Sequence, residues 1–138
     1  ILFYRIDNCF SLVDVPGYGY AEISKKNVTE ISILLNQYFT ISKNIKIVCV
    51  LIDSRHGLKK MDLEFLSFLE KNKLYYKLVL TKTDKLNKNK KEKILKNLSN
   101  FENKTPYKIL FTSTKTKEGI KELKNDILQI ISKNEKRT

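Results

Sequence analysis

At 138 residues the chain is long enough for one domain with a substantial core, and its 41% hydrophobic content fits a soluble globular protein. No apolar run approaches a membrane span, and one histidine with two scattered cysteines leaves nothing for a zinc site. The formal charge of +12 points toward polyanions, because each phosphate neutralised by a lysine favours binding. Only Arg5, Arg55 and Arg137 among the 27 basic residues are arginines, however, and a composition rich in lysine, asparagine and isoleucine is also what an AT-rich coding sequence produces. Cys9 and Cys49 sit in apolar, strand-like runs and read as small core residues of a reducing compartment. The chain starts at Ile1, inside an apolar run and without a signal or transit segment, and reads as an internal start.

In chain order, Ile1 to Ile6 and Cys9 to Asp14 are short β-rich runs separated by the turn-prone pair Asp7-Asn8, which predicts an antiparallel hairpin. Pro16, Gly17 and Gly19 then open an irregular loop that runs through Ser24 to Lys26. Asn27 with Glu30 resembles a capping box ahead of Ile31, Leu34, Leu35, Tyr38 and Phe39, so a helix is predicted from about Val28 to Phe39. Ile45 to Ile52 is almost wholly apolar and β-branched and ends at Asp53, the pattern of a parallel strand buried on both faces. After the Ser54 to Gly57 turn, Met61, Phe65, Phe68 and Leu69 share one helical face. Tyr75 to Leu80 is the next buried strand and ends at Thr81-Lys82-Thr83-Asp84. Lys85 to Asn100 is predicted as an amphipathic helix with Ile94, Leu95 and Leu98 as its apolar stripe. Tyr107 to Phe111 forms a strand that ends at Thr112-Ser113, and a helix carrying Ile120, Leu123, Ile127, Ile130 and Ile131 frays into Lys133 to Thr138. Strands alternating with helices give an α/β fold with a mostly parallel sheet and helices on both faces.

Parallel connections keep carboxyl ends together, so Asp14, Thr81 to Asp84 and Thr112-Ser113 are expected on one sheet edge, where open α/β sheets bind ligands. Asp14-Val15-Pro16-Gly17 is an Asp-x-x-Gly at a strand end. Its carboxylate suits Mg²⁺, and its glycine lets a backbone N–H approach a terminal phosphate without a Cβ in the way. Alone this motif is weak, since Asp-x-x-Gly also occurs in ordinary turns. Thr81-Lys82-Thr83-Asp84 is an x-Lys-x-Asp after a buried strand. An aspartate there accepts from the ring N–H and exocyclic amine of guanine while the lysine stem lies along the ring. Adenine lacks that donor pair, and a carboxylate left unpaired discriminates against it. Thr112-Ser113 and the backbone that follows supply an N–H for the guanine carbonyl oxygen.

With these motifs in register, the chain resembles the bacterial-type EngB (YihA/YsxC) GTPases of the TRAFAC class. The resemblance rests on Leu12-Val13-Asp14-Val15-Pro16-Gly17-Tyr18-Gly19-Tyr20-Ala21, Leu51-Ile52-Asp53-Ser54-Arg55-His56-Gly57, Leu80-Thr81-Lys82-Thr83-Asp84-Lys85, and Phe111-Thr112-Ser113 with Gly119-Ile120. It covers essentially the whole chain in order, and the Pro-Gly-Tyr-Gly-Tyr-Ala run is its specific part. It implies a Ras-like G domain, a GTP-hydrolysing switch that assists large ribosomal subunit assembly, with GTP/GDP and Mg²⁺ as ligands. The implied nucleotide-binding residues are Asp14, Val15, Pro16, Gly17, Thr81, Lys82, Thr83, Asp84, Phe111, Thr112 and Ser113, with Asp14 holding Mg²⁺ through water. No residue of this chain is assigned a catalytic role. Ribosomal precursor or rRNA is the implied partner, with no membrane and a monomeric state expected.

The chain departs from the family in lacking the Gly-x-x-x-x-Gly-Lys-Ser/Thr loop, the switch threonine, the first strand and the first helix. Residues 1–138 are therefore expected to be a partial G domain running from the second strand to the C-terminal helix of an N-terminally truncated member. Without its central strand the sheet leaves backbone groups unpaired, at about 1–3 kcal/mol each, so the chain as written is expected to fold poorly, bind GTP weakly and be inactive alone. Tyr18 stands where many GTPases carry a water-orienting glutamine, which implies slow intrinsic hydrolysis. Tyr18 and Tyr20 have loop packing as their alternative role. Asp53 reads as a strand-end cap paired with Arg55, away from the nucleotide, and His56 as a turn residue. Lys85, Lys88, Lys90, Lys91, Lys93 and Lys96 read as a solvated face or, alternatively, as an rRNA contact. A second function class is a non-catalytic, basic RNA- or ribosome-binding module on a degenerate GTPase scaffold. The expected compartment is the bacterial cytoplasm or the organellar matrix of an AT-rich eukaryote, not the secreted space.

Overall fold

The computed structural model describes residues 1–17 and 25–135, and its backbone divides into two compact units, Ile1–Ile45 and Lys46–Thr138. The loop expected through Ser24, including Tyr18, Gly19, Tyr20 and Ala21, lies outside the described residues, as do positions 136–138 of the expected fraying end.

The first unit begins with the hairpin that its composition predicts. β1 (Leu2–Ile6) and β2 (Phe10–Asp14) pair antiparallel, with Leu2 opposite Asp14 and Ile6 opposite Phe10. Asp7 and Asn8 both take left-handed dihedrals (φ 45° and 57°), a conformation that short Asx side chains tolerate and right-handed strand twist favours at such turns. The Cys9 N–H closes the turn on the Ile6 carbonyl at 2.8 Å. Cys9 is thereby exposed at the hairpin tip rather than in a core, while Cys49 is half-buried. α1 (Lys25–Ile41) is longer than its apolar stripe suggested, and Asn27 lies in its first turn, not at its cap. Leu35 and Phe39 are its buried residues. Tyr38 packs edge-on to Phe39 at 5.4 Å and to Phe3 of β1 at 6.4 Å.

The second unit is a parallel sheet in the order β3 (Val48–Asp53), β4 (Tyr76–Thr81), β5 (Leu110–Phe111). Among the described residues no ladder joins β2 to β3, so there are two sheets rather than one. The helices are α2 (Lys60–Lys71), α3 (Lys88–Glu102) and α4 (Ile120–Glu135). Because side chains alternate along a strand, Val50, Ile52, Tyr76, Leu78 and Leu80 form one face and pack with Leu66 and Leu69 of α2 and Leu98 of α3. The intervening Lys77 points to the opposite face, where its ammonium meets Asp126 of α4 at 2.9 Å. Helices therefore cover both faces of β4, whereas on β3, the run expected to be buried on both faces, Leu51 is 62% exposed.

Where boundaries differ from expectation, local hydrogen bonding explains the difference. β5 is two residues long instead of starting at Tyr107, and the Lys108 carbonyl accepts from the Lys77 ammonium at 2.7 Å in place of a ladder partner. α3 starts at Lys88, not Lys85, because Thr83–Lys85 makes a single 3-10 turn and the Asn87 side chain then caps the Lys90 N–H at 2.9 Å. On α2, Met61 is 38% exposed, and Leu66, which was not on the expected face, is buried beside Leu69. Among the described residues no helix is long and apolar enough to cross a membrane.

Candidate functional site

Three parallel strands bring their carboxyl ends to one edge, and the turns leaving β3, β4 and β5 are tied to one another by backbone bonds. The Ser54 N–H donates to the Thr81 carbonyl at 3.0 Å, the Thr112 N–H to Leu80 at 2.7 Å, and the Thr83 N–H to Thr112 at 3.2 Å. The Thr112 hydroxyl adds a second bond to the Leu80 carbonyl at 2.9 Å. Thr81, Lys82, Thr83, Asp84, Phe111, Thr112 and Ser113 are thus brought together within the second unit, whereas Asp14, expected on the same sheet edge, ends a strand of the separate antiparallel sheet.

The turn after β4 depends on Lys82, which adopts a left-handed conformation (φ 58°). For a residue with a Cβ this costs about 1–2 kcal/mol, so surrounding contacts must hold it in place. The reversal sends Thr83 inward, where it is 1% exposed, and leaves Asp84 half-exposed at the edge. The Ser113 hydroxyl donates to Asp84 Oδ1 at 2.8 Å. That bond, followed by the Asp84 backbone N–H and the charges of Lys85 and Lys115, holds the Asp84 carboxyl below its usual range despite some desolvation. A carboxylate has about four lone-pair positions, so one serine leaves it acceptor capacity for a ligand with adjacent donors.

Asp53 does what a strand-end aspartate paired with Arg55 was expected to do, and one thing more. Arg55 donates Nε to Oδ1 at 3.0 Å and Nη2 to Oδ2 at 2.7 Å, with its backbone N–H also on Oδ1 at 3.0 Å. These bonds, Arg55 foremost, push the Asp53 carboxyl well below its ordinary range. Oδ2 also meets the Lys82 ammonium at 3.2 Å. Asp53 is therefore bonded to the turn that carries Lys82 and Asp84. Asp53 lies directly across the ladder from Thr81, so the strand register carried that signal. His56 and Gly57 donate their N–H groups to the Asp53 carbonyl at 3.1 Å, an ordinary turn.

Glu118 was not singled out from the sequence. Its Oε2 lies 2.9 Å from the Thr83 hydroxyl, its Oε1 takes the Lys91 ammonium at 2.6 Å, and its backbone carbonyl accepts the Ser113 N–H at 3.0 Å. Lys91 is thus withdrawn from the solvated face expected of α3, and its ammonium lies 5.7 Å from the centre of the Phe111 ring. The hydrogen bond from Lys91, then that from Thr83, lowers the Glu118 carboxyl. Gly119 follows at φ +69°, and a Cβ there would run into the Phe111 carbonyl oxygen, so only glycine fits. Lys85, Lys88, Lys90, Lys93 and Lys96 remain exposed.

Asp14 stands at the end of β2 in the first unit, exposed, with Val15 and Pro16 half-buried and Gly17 exposed. A single exposed strand-end carboxylate agrees with the ligand set Mg²⁺ takes when phosphates and waters complete its shell.

No protein-family model matches the chain. Proteins named probable GTP-binding protein EngB do match it. The one from Mycoplasmopsis synoviae is 42% identical over 115 residues, which is 83% of this chain and 62% of that protein. The one from Ehrlichia chaffeensis is 40% identical over 138 aligned residues, 96% of this chain and 68% of that protein. The chain thus spans about two thirds of the length of these relatives. A crystal structure of a probable GTP-binding protein EngB superposes with a TM-score of 0.78 at 20% identity, covering 96% of this chain and 84% of that one. The translation elongation factor SelB of Methanococcus maripaludis, without nucleotide, gives 0.71 at 20% identity over 94% of this chain and 27% of its own. The fold is that of the P-loop GTPases. From 40% identity to a relative of which it covers 68%, the chain belongs to the EngB family.

Proposed function

We propose that the turn after β4 and the loop after β5 form a guanine site, and that the protein carrying this chain is a GTP-hydrolysing switch. The observation that carries this reading is Asp84, ionised and aimed by Ser113, beside a left-handed Lys82. The carboxylate would accept from guanine N1–H and the 2-amino group, and the Lys82 stem would lie along the ring. Thr81, Thr83, Phe111 and Thr112 would frame the site, and backbone N–H groups after Ser113 would meet O6. Asp14 to Gly17 would serve the phosphate side, with Asp14 holding Mg²⁺ through water. A bound Mg²⁺ would supply neutralisation of phosphate charge. The names of the relatives, GTP-binding proteins, support the guanine nucleotide.

The partner in this reading is a precursor of the large ribosomal subunit, met by a monomer. The exposed lysines of the α3 region (Lys85, Lys88, Lys90, Lys93 and Lys96) are suited to rRNA phosphates. The same face would serve a non-catalytic RNA-binding module, and nucleotide binding separates the two. The test is Asp84→Asn in the natural-length protein. Losing an acceptor for two donors should weaken GDP by about 10- to 100-fold. Xanthosine diphosphate, whose C2 carbonyl accepts from an amide, should bind the variant better than the parent. GDP affinity unchanged by the substitution overturns the assignment.

A further inference from the structure

We propose that Glu118 is a positioning residue for base recognition, one whose side chain sets the orientation of Asp84 through Thr83 without touching the nucleotide. This rests on the guanine reading above and identifies the device that makes the site selective. Asp84 must present its carboxylate in the plane of a base edge, so a small rotation of the turn loses one of two hydrogen bonds. Lys82 is left-handed, so contacts around the turn must hold it in place.

Two loops from different strands build the site; Glu118 lies in the loop after β5, and its side chain reaches the turn after β4. Its carboxylate engages the Thr83 hydroxyl at 2.9 Å, next in sequence to Asp84. Its backbone carbonyl, which any residue at this position supplies, accepts the N–H of Ser113 at 3.0 Å and closes the loop after β5. Thr83 is 1% exposed, so its side chain faces the protein interior and not a ligand. Its hydroxyl also lies 3.0 Å from the Thr112 carbonyl, so Thr83 joins the two loops directly as well. The far oxygen of Glu118 is fixed by Lys91 at 2.6 Å, which ties the arrangement to α3. The Lys91–Glu118 side chains are 28% and 40% exposed, and ion pairs so placed add little to global stability. Their effect is therefore expected in the geometry of the site.

The experiment measures GDP, IDP and ADP dissociation constants for the natural-length protein, Glu118→Ala, Thr83→Val and Thr83→Ser. IDP lacks the 2-amino group, so the GDP-to-IDP preference reports whether Asp84 makes both bonds. The proposal expects Glu118→Ala and Thr83→Val each to reduce that preference by about tenfold, with Thr83→Ser close to the parent. The double variant should lose less than the sum of the two single ones, because both remove the Glu118–Thr83 bond while Thr83→Val also removes the contact with the Thr112 carbonyl. An unchanged GDP-to-IDP ratio, or equal weakening of GDP and IDP, overturns it. Thr83→Val is nearly isosteric and keeps the test open if Glu118→Ala fails to fold. A parent protein that binds ADP as well as GDP refutes the guanine reading, whereas a GDP-selective parent with unchanged variant ratios refutes only the role of Glu118.

Discussion

Gly119→Ala, set beside Gly57→Ala, isolates what close packing at the β5 end contributes. Both glycines are left-handed, at φ +69° and +66°, so an alanine at either position meets the same dihedral cost of about 1–2 kcal/mol. Their surroundings differ. Nothing lies within 4 Å of a Cβ at Gly57, whereas at Gly119 it would overlap the Phe111 carbonyl oxygen and stand 3.1 Å from its carbon and 3.3 Å from Thr112 Cγ2. The obstruction is backbone, in a strand of two residues whose next residue bonds back to Leu80, so it cannot swing aside as a side chain would. Overpacking of that kind adds about 1–3 kcal/mol, for a total of about 2–5 kcal/mol at Gly119. In a chain of this size 1 kcal/mol corresponds to about 3–4 °C, so thermal unfolding should show Gly57→Ala lowered by about 3–8 °C and Gly119→Ala by about 6–20 °C. Equal shifts for the two variants would refute the claim that the Phe111 carbonyl excludes a side chain from Gly119.

Leu78→Ala, at a fully buried position in the middle of β4, should cost about 2–5 kcal/mol in urea unfolding; a cost under 1 kcal/mol would contradict the core described. Asp126→Ala should be more damaging than Lys77→Met. The first leaves a 2%-exposed ammonium with the Lys108 carbonyl, while the second removes the charge with its partner's need for it. With Asp126 one-third exposed the loss is about 1–3 kcal/mol, against near neutrality for Lys77→Met, by the same denaturation assay. Asp53, Asp84 and Glu118 all have folded-state values below their unfolded ones. Their contribution is therefore complete above the unfolded carboxylate range, about pH 4–4.5, and is lost as pH falls through the lower folded values. Urea midpoints should be flat from about pH 7 to 5 and decline below about pH 4; a midpoint that rises on acidification would contradict the assignment.

Much of the second unit was legible because its signals are local. β3 and β4 are apolar runs bounded by turn residues, and the x-Lys-x-Asp that ends β4 is contiguous. Asp7-Asn8 announced the hairpin because few other residues accept two successive left-handed positions. What stayed hidden depends on residues distant in sequence. Glu118 is 35 positions from the hydroxyl it engages, and no periodicity connects them. The Asp53–Lys82 bond needed the β3–β4 register, and the shortness of β5 needed the knowledge that a lysine ammonium occupies the Lys108 carbonyl. Lys91 shows the same limit, since composition placed it on a solvated face and only the fold brings Glu118 beneath it. The helix starts at Lys25 and Lys88 differed from expectation because Asn27 was read as a cap while Asn87 was not.

The central claim is that Asp84 reads guanine, and the most direct measurement is calorimetric titration of the natural-length protein with GDP and with ADP in the presence of Mg²⁺. GDP should bind and ADP should be weaker by a factor of about 100 or more, because adenine leaves the Asp84 carboxylate without its donor pair. Equal affinity for the two nucleotides, or binding of neither, would contradict it.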